Sequence, residues 1–81
     1  MIRNYQPRGA RFHLLTAGGV RERAARTVLD GSGIGFDIYY LSPDMLCLLG
    51  QDGLMLADTK TEQTYVGITC IRRAAMKYGD D

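Results

Sequence analysis

Short runs of hydrophobic residues, separated by turn residues, predict several strands in this chain. Residues 11–16 (RFHLLT) are followed by a glycine pair, and residues 34–41 (IGFDIYYL) are rich in aromatic and β-branched residues. Residues 64–71 (TYVGITCI) alternate with the strand period of two, after a polar connection at residues 58–63. From Ile71 onward the apolar spacing becomes helical. We therefore predict three strands and a closing turn or two of helix.

The segment 20–29 fits a helix and a strand equally well. Its apolar residues recur at helical spacing, with Gly31 as a stop, and they are Val20, Ala24, Ala25, Val28 and Leu29. In the alternative, the segment is a strand that pairs back on residues 11–16 across the glycine turn, because tertiary context overrides propensity in short segments. Both interpretations stay open.

The apolar runs 45–49 and 54–57 also allow two interpretations. They flank a turn that contains Asp52 and Gly53, a pair that tolerates positive φ and favours a hairpin. In the alternative, Ser42 caps a short helix that begins at Pro43 and stops at Gly50. The hairpin is the preferred interpretation.

Several short strands joined by tight turns favour a mainly β fold for this chain of 81 residues. We expect a β-rich α+β domain, built as a small barrel or a curled antiparallel sheet with one or two short helices. The composition, with 46% hydrophobic and 23% charged residues, is that of a folded globular protein. We expect a single domain over residues 1–81, with residues 1–10 irregular and residues 80–81 frayed.

The charges are unevenly distributed along the chain. Residues 1–26 contain six arginines and one acidic residue, whereas residues 27–81 contain four basic and eight acidic residues. The planar guanidinium group of arginine suits phosphate and carboxylate groups, so we expect an anionic partner near the N-terminal third. A pI of about 7.8 is low for a general nucleic-acid-binding protein, and a nucleic-acid partner is not favoured.

No segment of the sequence is predicted to anchor or export the chain. The longest apolar run, at residues 45–49, is far too short to span a membrane, and no apolar signal region follows the N-terminal arginines. Cys47 and Cys70 lie in apolar segments and lack the spacing of a disulfide scaffold or a zinc site. We therefore expect two buried thiols, a reducing cytoplasmic location, and neither a metal nor a cofactor.

The sequence contains no recognisable catalytic constellation. The single histidine, His13, lies in an apolar segment and is interpreted as structural. Ser32 lies between two glycines, but Asp30 stands where the first glycine of a G-x-S-x-G nucleophile elbow belongs. The other carboxylates lie in separate turns and strands, and their spacing does not pair them as acid and base. We therefore predict a binding protein without enzymatic activity.

One polar motif, DGSGIGF at residues 30–36, resembles the D-x-S-x-x-G signature of PilZ domains through Asp30, Ser32 and Gly35. PilZ domains are small β-barrels that bind cyclic diguanylate, so the resemblance implies a module that binds an anionic nucleotide. In that family an R-x-x-x-R pair grips the phosphates, whereas Arg8 and Arg11 of this chain are spaced R-x-x-R. The implied ligand site comprises Arg8, Arg11, Asp30, Ser32 and Gly35.

Two alternative functions stay open beside nucleotide binding. The first is a small protein–protein interaction module, such as a phage or accessory-gene inhibitor or an assembly subunit, that acts through exposed arginine and tyrosine side chains. Its candidate contacts are Arg21, Arg23, Arg26 and Tyr40. The second alternative is an Sm-like RNA-binding barrel, which would form a ring-shaped homo-oligomer.

Overall fold

The computed structural model describes residues 9–79, which form four strands and three helices. In chain order these elements are β1 (Phe12–Thr16), α1 (Val20–Ser32), β2 (Phe36–Tyr40), a 3₁₀ helix (Pro43–Leu49), β3 (Leu54–Asp58), β4 (Thr64–Val66) and α2 (Ile68–Tyr78). Helices hold 44% and strands 25% of the structure. The α+β class is confirmed, but the prediction that β structure dominates was wrong.

The strands form one mixed, open sheet in the order β2-β1-β3-β4. β1 is parallel to β2 and antiparallel to β3, and β3 is antiparallel to β4. The predicted closed barrel is therefore wrong, and so is a purely antiparallel sheet. The physical reason is the β1–β2 connection: parallel neighbours need a long crossover. The segment that supplies this crossover is α1, so it cannot also serve as a further strand.

The hydrophobic core lies between the sheet and the helices α1 and α2. β1 and β3 each bury every second residue, as strands do when one face packs against a core. α1 contributes Ala25 and Leu29, and α2 contributes Ile71, Ala74 and Ala75. Because most of these helical residues are small, the helices can pack closely against each other and against the sheet.

The ambiguous segment 20–29 is helical, and the helix continues to Ser32. Its buried residues Glu22, Ala25 and Leu29 recur every three or four positions and therefore share one face of α1. Gly33, in the left-handed conformation with φ of 76°, ends the helix. The strand interpretation of this segment is therefore wrong.

The preferred hairpin between residues 45–49 and 54–57 is also wrong. Residues Pro43–Leu49 form a 3₁₀ helix between Ser42 and Gly50, close to the alternative interpretation, although the Ser42 side chain makes no capping hydrogen bond. Pro43 explains the outcome, because its fixed φ suits the first turn of a helix and it has no N–H for a strand ladder. β3 pairs instead with β1 and with β4.

The last predicted strand, at residues 64–71, is much shorter than expected. β4 ends at Val66, and α2 begins at Ile68 rather than at Ile71. The backbone N–H of Ile68 donates a hydrogen bond of 2.7 Å to Asp52 Oδ2. A side chain distant in the sequence thus satisfies one of the N–H groups that the first turn of a helix leaves unpaired.

The exposure of the two cysteines and the length of the helices can be compared with the prediction of a reducing, cytoplasmic location. Cys47 is exposed and Cys70 is half-buried, so the prediction of two buried thiols was wrong. Cys47 lies on the 3₁₀ helix, of which Leu49 is the buried residue, and Cys70 lies on the flank of α2. Within residues 9–79, the helices are too short or too polar to cross a membrane.

Candidate functional site

The motif that carries the PilZ resemblance lies at the end of α1 and in the connection to β2. Asp30 is exposed, and Gly35 directly precedes β2. The Ser32 hydroxyl donates a hydrogen bond of 2.9 Å to the Val28 carbonyl inside the helix. Arg8 lies outside the described residues. The serine of the implied ligand site therefore uses its hydroxyl proton within the fold.

Arg11, also predicted as a ligand contact, forms a bidentate ion pair with Asp58. Arg11 Nε and Nη2 donate to the two Asp58 carboxylate oxygens, each at 2.8 Å. The guanidinium group also lies 5.0 Å from the ring centroid of Phe12 and 4.6 Å from that of Tyr78. These contacts dock Arg11 between the start of β1, the end of β3 and the end of α2.

The ion pair perturbs the titration of both partners. The hydrogen bond from Arg11 holds the pKa of Asp58 well below its usual range, and the backbone N–H of Lys60 adds to this effect. The same hydrogen bond raises the pKa of Arg11. Beside the pair, a hydrogen bond between the phenols raises the pKa of Tyr65 and lowers that of Tyr78. The Asp58 carboxylate is fully buried, so this cluster serves primarily to hold three elements together.

The arginines of α1 differ in their partners. Arg26 Nη1 donates to Glu22 Oε2 at 3.1 Å, and the Tyr40 hydroxyl donates to the same oxygen at 2.8 Å. Glu22 is buried, so this group ties α1 to the end of β2. Of the predicted partner contacts, Arg26 and Tyr40 are thereby joined to each other through Glu22.

Arg21 and Arg23 lie instead on a groove between α1 and α2, which we call the α1–α2 groove. Its deeper part has a volume of about 210 Å³ and is lined by Arg21, Ala24, Asp52, Leu54, Ile68 and Arg72. A shallower part of about 380 Å³ adjoins it and is lined by Val20, Arg23, Ala24, Thr27, Val28 and Arg72. Ala24 and Arg72 belong to both parts, so the groove is continuous. Arginines from both helices thus surround a mainly apolar floor.

The arginines of the groove differ in how they are engaged. Arg21 Nη1 donates to Asp52 Oδ1 at 3.0 Å and to the Gln51 carbonyl at 3.1 Å, and its side chain is 60% exposed. Within the described part of the chain, neither the Arg23 nor the Arg72 guanidinium group has a hydrogen-bond or ion-pair partner. Asp52 is the only acidic residue among those that line the groove between positions 9 and 79.

Arg72 was not among the predicted contacts. Arg72 and Ile68 are spaced i and i+4, which places both on one face of a helix. That signal could not be used because the predicted helix began only at Ile71. Arg73, the next residue, is exposed and lies about 100° further around α2, away from the face that Ile68 and Arg72 share.

The lone histidine lies on the sheet face opposite α1 and α2. His13 Nε2 is 3.5 Å from Asp37 Oδ2, and the His13 and Tyr39 rings are 4.9 Å apart. Asp37 is buried, and its Oδ1 has no hydrogen-bond partner among residues 9–79. The pair offers two metal-ligating side chains, and the described residues contain no group of three that could hold a metal ion.

The sequence matches no protein-family model, and no curated protein matches it. Function must therefore be inferred from the side chains and their geometry.

Proposed function

We propose that this protein is a non-enzymatic interaction module that binds an acidic segment of a partner protein on the α1–α2 groove. The observation that carries this proposal is the convergence of Arg21, Arg23 and Arg72 from two helices around an apolar floor. An arginine-rich rim around an apolar centre resembles the residue distribution of protein interaction sites.

Charge complementarity selects the acidic partner. The groove carries three arginines and the single carboxylate of Asp52, and two of the three guanidinium groups have no partner within residues 9–79. A guanidinium group forms short, charge-assisted hydrogen bonds with carboxylates, often in bidentate geometry. A partner with glutamates or aspartates can therefore pair with groups that the fold leaves exposed.

Two side chains of the nucleotide site implied by the sequence already have partners within the fold. At the nucleotide site implied by the PilZ resemblance, Arg11 is already paired with Asp58 and the Ser32 hydroxyl with Val28. Nucleotide binding through Arg8, Arg11, Asp30, Ser32 and Gly35 stays a prediction, which the following experiment also addresses.

The test is a titration of the isotopically labelled protein, followed by amide chemical shifts. The probe is a synthetic helix-forming peptide of glutamates and alanines, about 18 residues long so that it can fold as a helix. A matched peptide carries lysine in place of every glutamate, and cyclic diguanylate is titrated separately. We expect the glutamate peptide, but neither the lysine peptide nor cyclic diguanylate, to shift the amide signals of Ala24, Thr27, Val28, Ile68 and Arg72.

Two variants of adjacent arginines control for general charge attraction. Arg72→Glu is expected to weaken binding of the glutamate peptide about tenfold or more, because it reverses a charge at the centre of the groove. Arg73→Glu makes the same change about 100° further around α2, outside the lining of the groove, and should have a much smaller effect. Equal losses in both variants, or shifts confined to residues 30–35 with cyclic diguanylate, would overturn the proposal.

A further inference from the structure

We infer that the partner segment is an amphipathic α-helix, which places one aliphatic side chain between Ala24, Leu54 and Ile68 and one carboxylate against Arg21. This inference rests on the proposed function and specifies the conformation and the anchor residue of the partner. It follows from three properties of the groove: the kind of surface that forms it, the shape of its floor, and the position of Asp52.

The surface of the groove favours a helical partner. Both walls are α-helices, whose backbone N–H and C=O groups are paired within the helix outside the terminal turns. An extended segment laid across them would gain no continuous ladder of main-chain hydrogen bonds of the kind that a sheet edge offers. A helix satisfies its own backbone groups and can pack its side chains between two others, as helices do when they lie in a groove.

The floor of the deeper part favours an aliphatic anchor. Leu54 is fully buried beneath it, and Ile68 is half-buried at its side. Ala24 is exposed, and its methyl group leaves the space that a larger residue at this position would fill. A volume of about 210 Å³ accommodates a single leucine or isoleucine side chain. The floor offers such a side chain apolar contacts on several sides.

Asp52 marks where a carboxylate of the partner would lie. Asp52 Oδ1 is 3.0 Å from Arg21 Nη1, while its Oδ2 accepts the Ile68 N–H at 2.7 Å. The Arg21–Asp52 pair lies at the surface, with side-chain exposures of 60% and 32%, so replacing Asp52 by another carboxylate as the partner of Arg21 costs little. Because the Ile68 hydrogen bond holds Asp52 in place, Arg21 can turn to a partner without uncapping α2.

In the shallower part of the groove, apolar residues flanked by arginines continue for one more helical turn. Ala24 and Val28 are spaced i and i+4 on α1, with Arg23 and Arg72 on either side. A partner helix with aliphatic residues at this spacing would place glutamates from its flanks beside both guanidinium groups. Apolar and acidic positions of the partner are therefore expected in a helical repeat.

The experiment compares two peptides of about 18 residues that carry the same glutamates. One has leucines along the face between the glutamates, and the other has alanines there. We expect the leucine peptide to bind the wild-type protein about tenfold or more tightly than the alanine peptide, because a buried leucine side chain replaces a methyl group. Circular dichroism of the mixture should show additional helix as the leucine peptide binds.

An Ala24→Leu variant tests the anchor pocket itself. Leucine is a good helix former at an exposed position, so the fold should tolerate it, but its side chain occupies the pocket. The preference for the leucine peptide should fall to about twofold or less in this variant. Arg73→Leu adds the same side chain outside the groove and should keep the full preference.

The outcomes separate the two proposals. If both peptides bind wild-type protein equally and Arg72→Glu weakens both, the proposed function stands and the helical anchor is wrong. If the leucine peptide keeps its advantage in Ala24→Leu, the anchor lies elsewhere and the inference is also wrong. If neither peptide binds, the proposed function itself is overturned.

Discussion

Two arginine–aspartate pairs lie at opposite ends of the sheet and serve different purposes. Arg11 binds Asp58 through two hydrogen bonds of 2.8 Å, and the carboxylate is fully buried. Arg21 binds Asp52 through one contact of 3.0 Å, with both side chains in contact with solvent. The residue types are identical, but burial and bidentate geometry distinguish the Arg11–Asp58 pair from the exposed Arg21–Asp52 pair.

The surroundings of each carboxylate explain this difference. The Asp58 carboxylate also accepts backbone N–H groups from Lys60 and Thr61, and its burial makes an uncompensated charge costly. Asp52 keeps one oxygen for the start of α2 and shares the other with an exposed guanidinium group. Exposed ion pairs contribute little to stability, so a change at Arg21 should have little effect on folding.

The largest effect is expected from Asp58→Asn, which removes the buried charge but keeps the size of the side chain. We expect a loss of about 2 kcal/mol in the free energy of unfolding, below the roughly 3–5 kcal/mol of a fully buried pair because solvent reaches Arg11. Urea denaturation measures this loss in the free energy of unfolding. Asp52→Asn is the matched control, and equal losses in the two variants would show that burial does not distinguish the pairs.

The stability of the wild-type protein in acid should also depend on Asp58. The pKa of Asp58 is depressed in the folded state by the hydrogen bond from Arg11, so its contribution is present above the unfolded pKa of about 4 and is lost as pH falls below it. We expect the free energy of unfolding, measured by urea denaturation, to fall less between about pH 6 and about pH 3 in Asp58→Asn than in wild type. Identical losses would contradict the assignment of this pH dependence to Asp58.

A smaller effect is expected from Arg11→Lys, which keeps the charge but not the planar fork. Lysine cannot form the bidentate contact with Asp58, and it loses the contact of the guanidinium group with the Tyr78 ring. The midpoint of thermal unfolding should lie between those of wild type and Asp58→Asn. A midpoint equal to that of wild type would mean that charge alone, without bidentate geometry, holds the cluster.

The smallest effect on stability is expected from Asp52→Asn. The asparagine oxygen can still accept the Ile68 N–H, so the free energy of unfolding should change by less than about 0.5 kcal/mol. Binding of the leucine and glutamate peptide should strengthen about twofold, because Arg21 loses its internal competitor. Weaker binding would show that Asp52 helps to place Arg21 rather than compete for it.

Local patterns predicted the strands whose segments are rich in strand-forming residues and bounded by turn residues. The strand predicted at residues 11–16 is confirmed by β1, and the one at residues 34–41 by β2. The sequence of residues 20–29 shows a helical stripe of apolar residues. This segment is a helix and not a strand because β1 and β2 are parallel and need a crossover between them. That pairing joins residues more than twenty positions apart, which periodicity does not encode.

The candidate site was predictable in part. Arg21 and Arg23 were identified from the excess of arginine in residues 1–26, but Arg26 carried the same signal and bonds to buried Glu22 instead. Sequence position alone could not separate them, since the side of α1 that meets α2 is set by packing. Arg72 was missed because the start of α2 depends on the hydrogen bond from the Ile68 N–H to Asp52.

By itself, the sequence determined that this chain has strand-forming segments, helix-forming stripes and an arginine-rich first third, because these follow from local spacing and composition. The tertiary structure decided which strands are parallel, that the sheet stays open, and which arginines meet across two helices. Those features depend on contacts between residues far apart in the chain, where burial and packing determine which of several locally acceptable conformations is adopted.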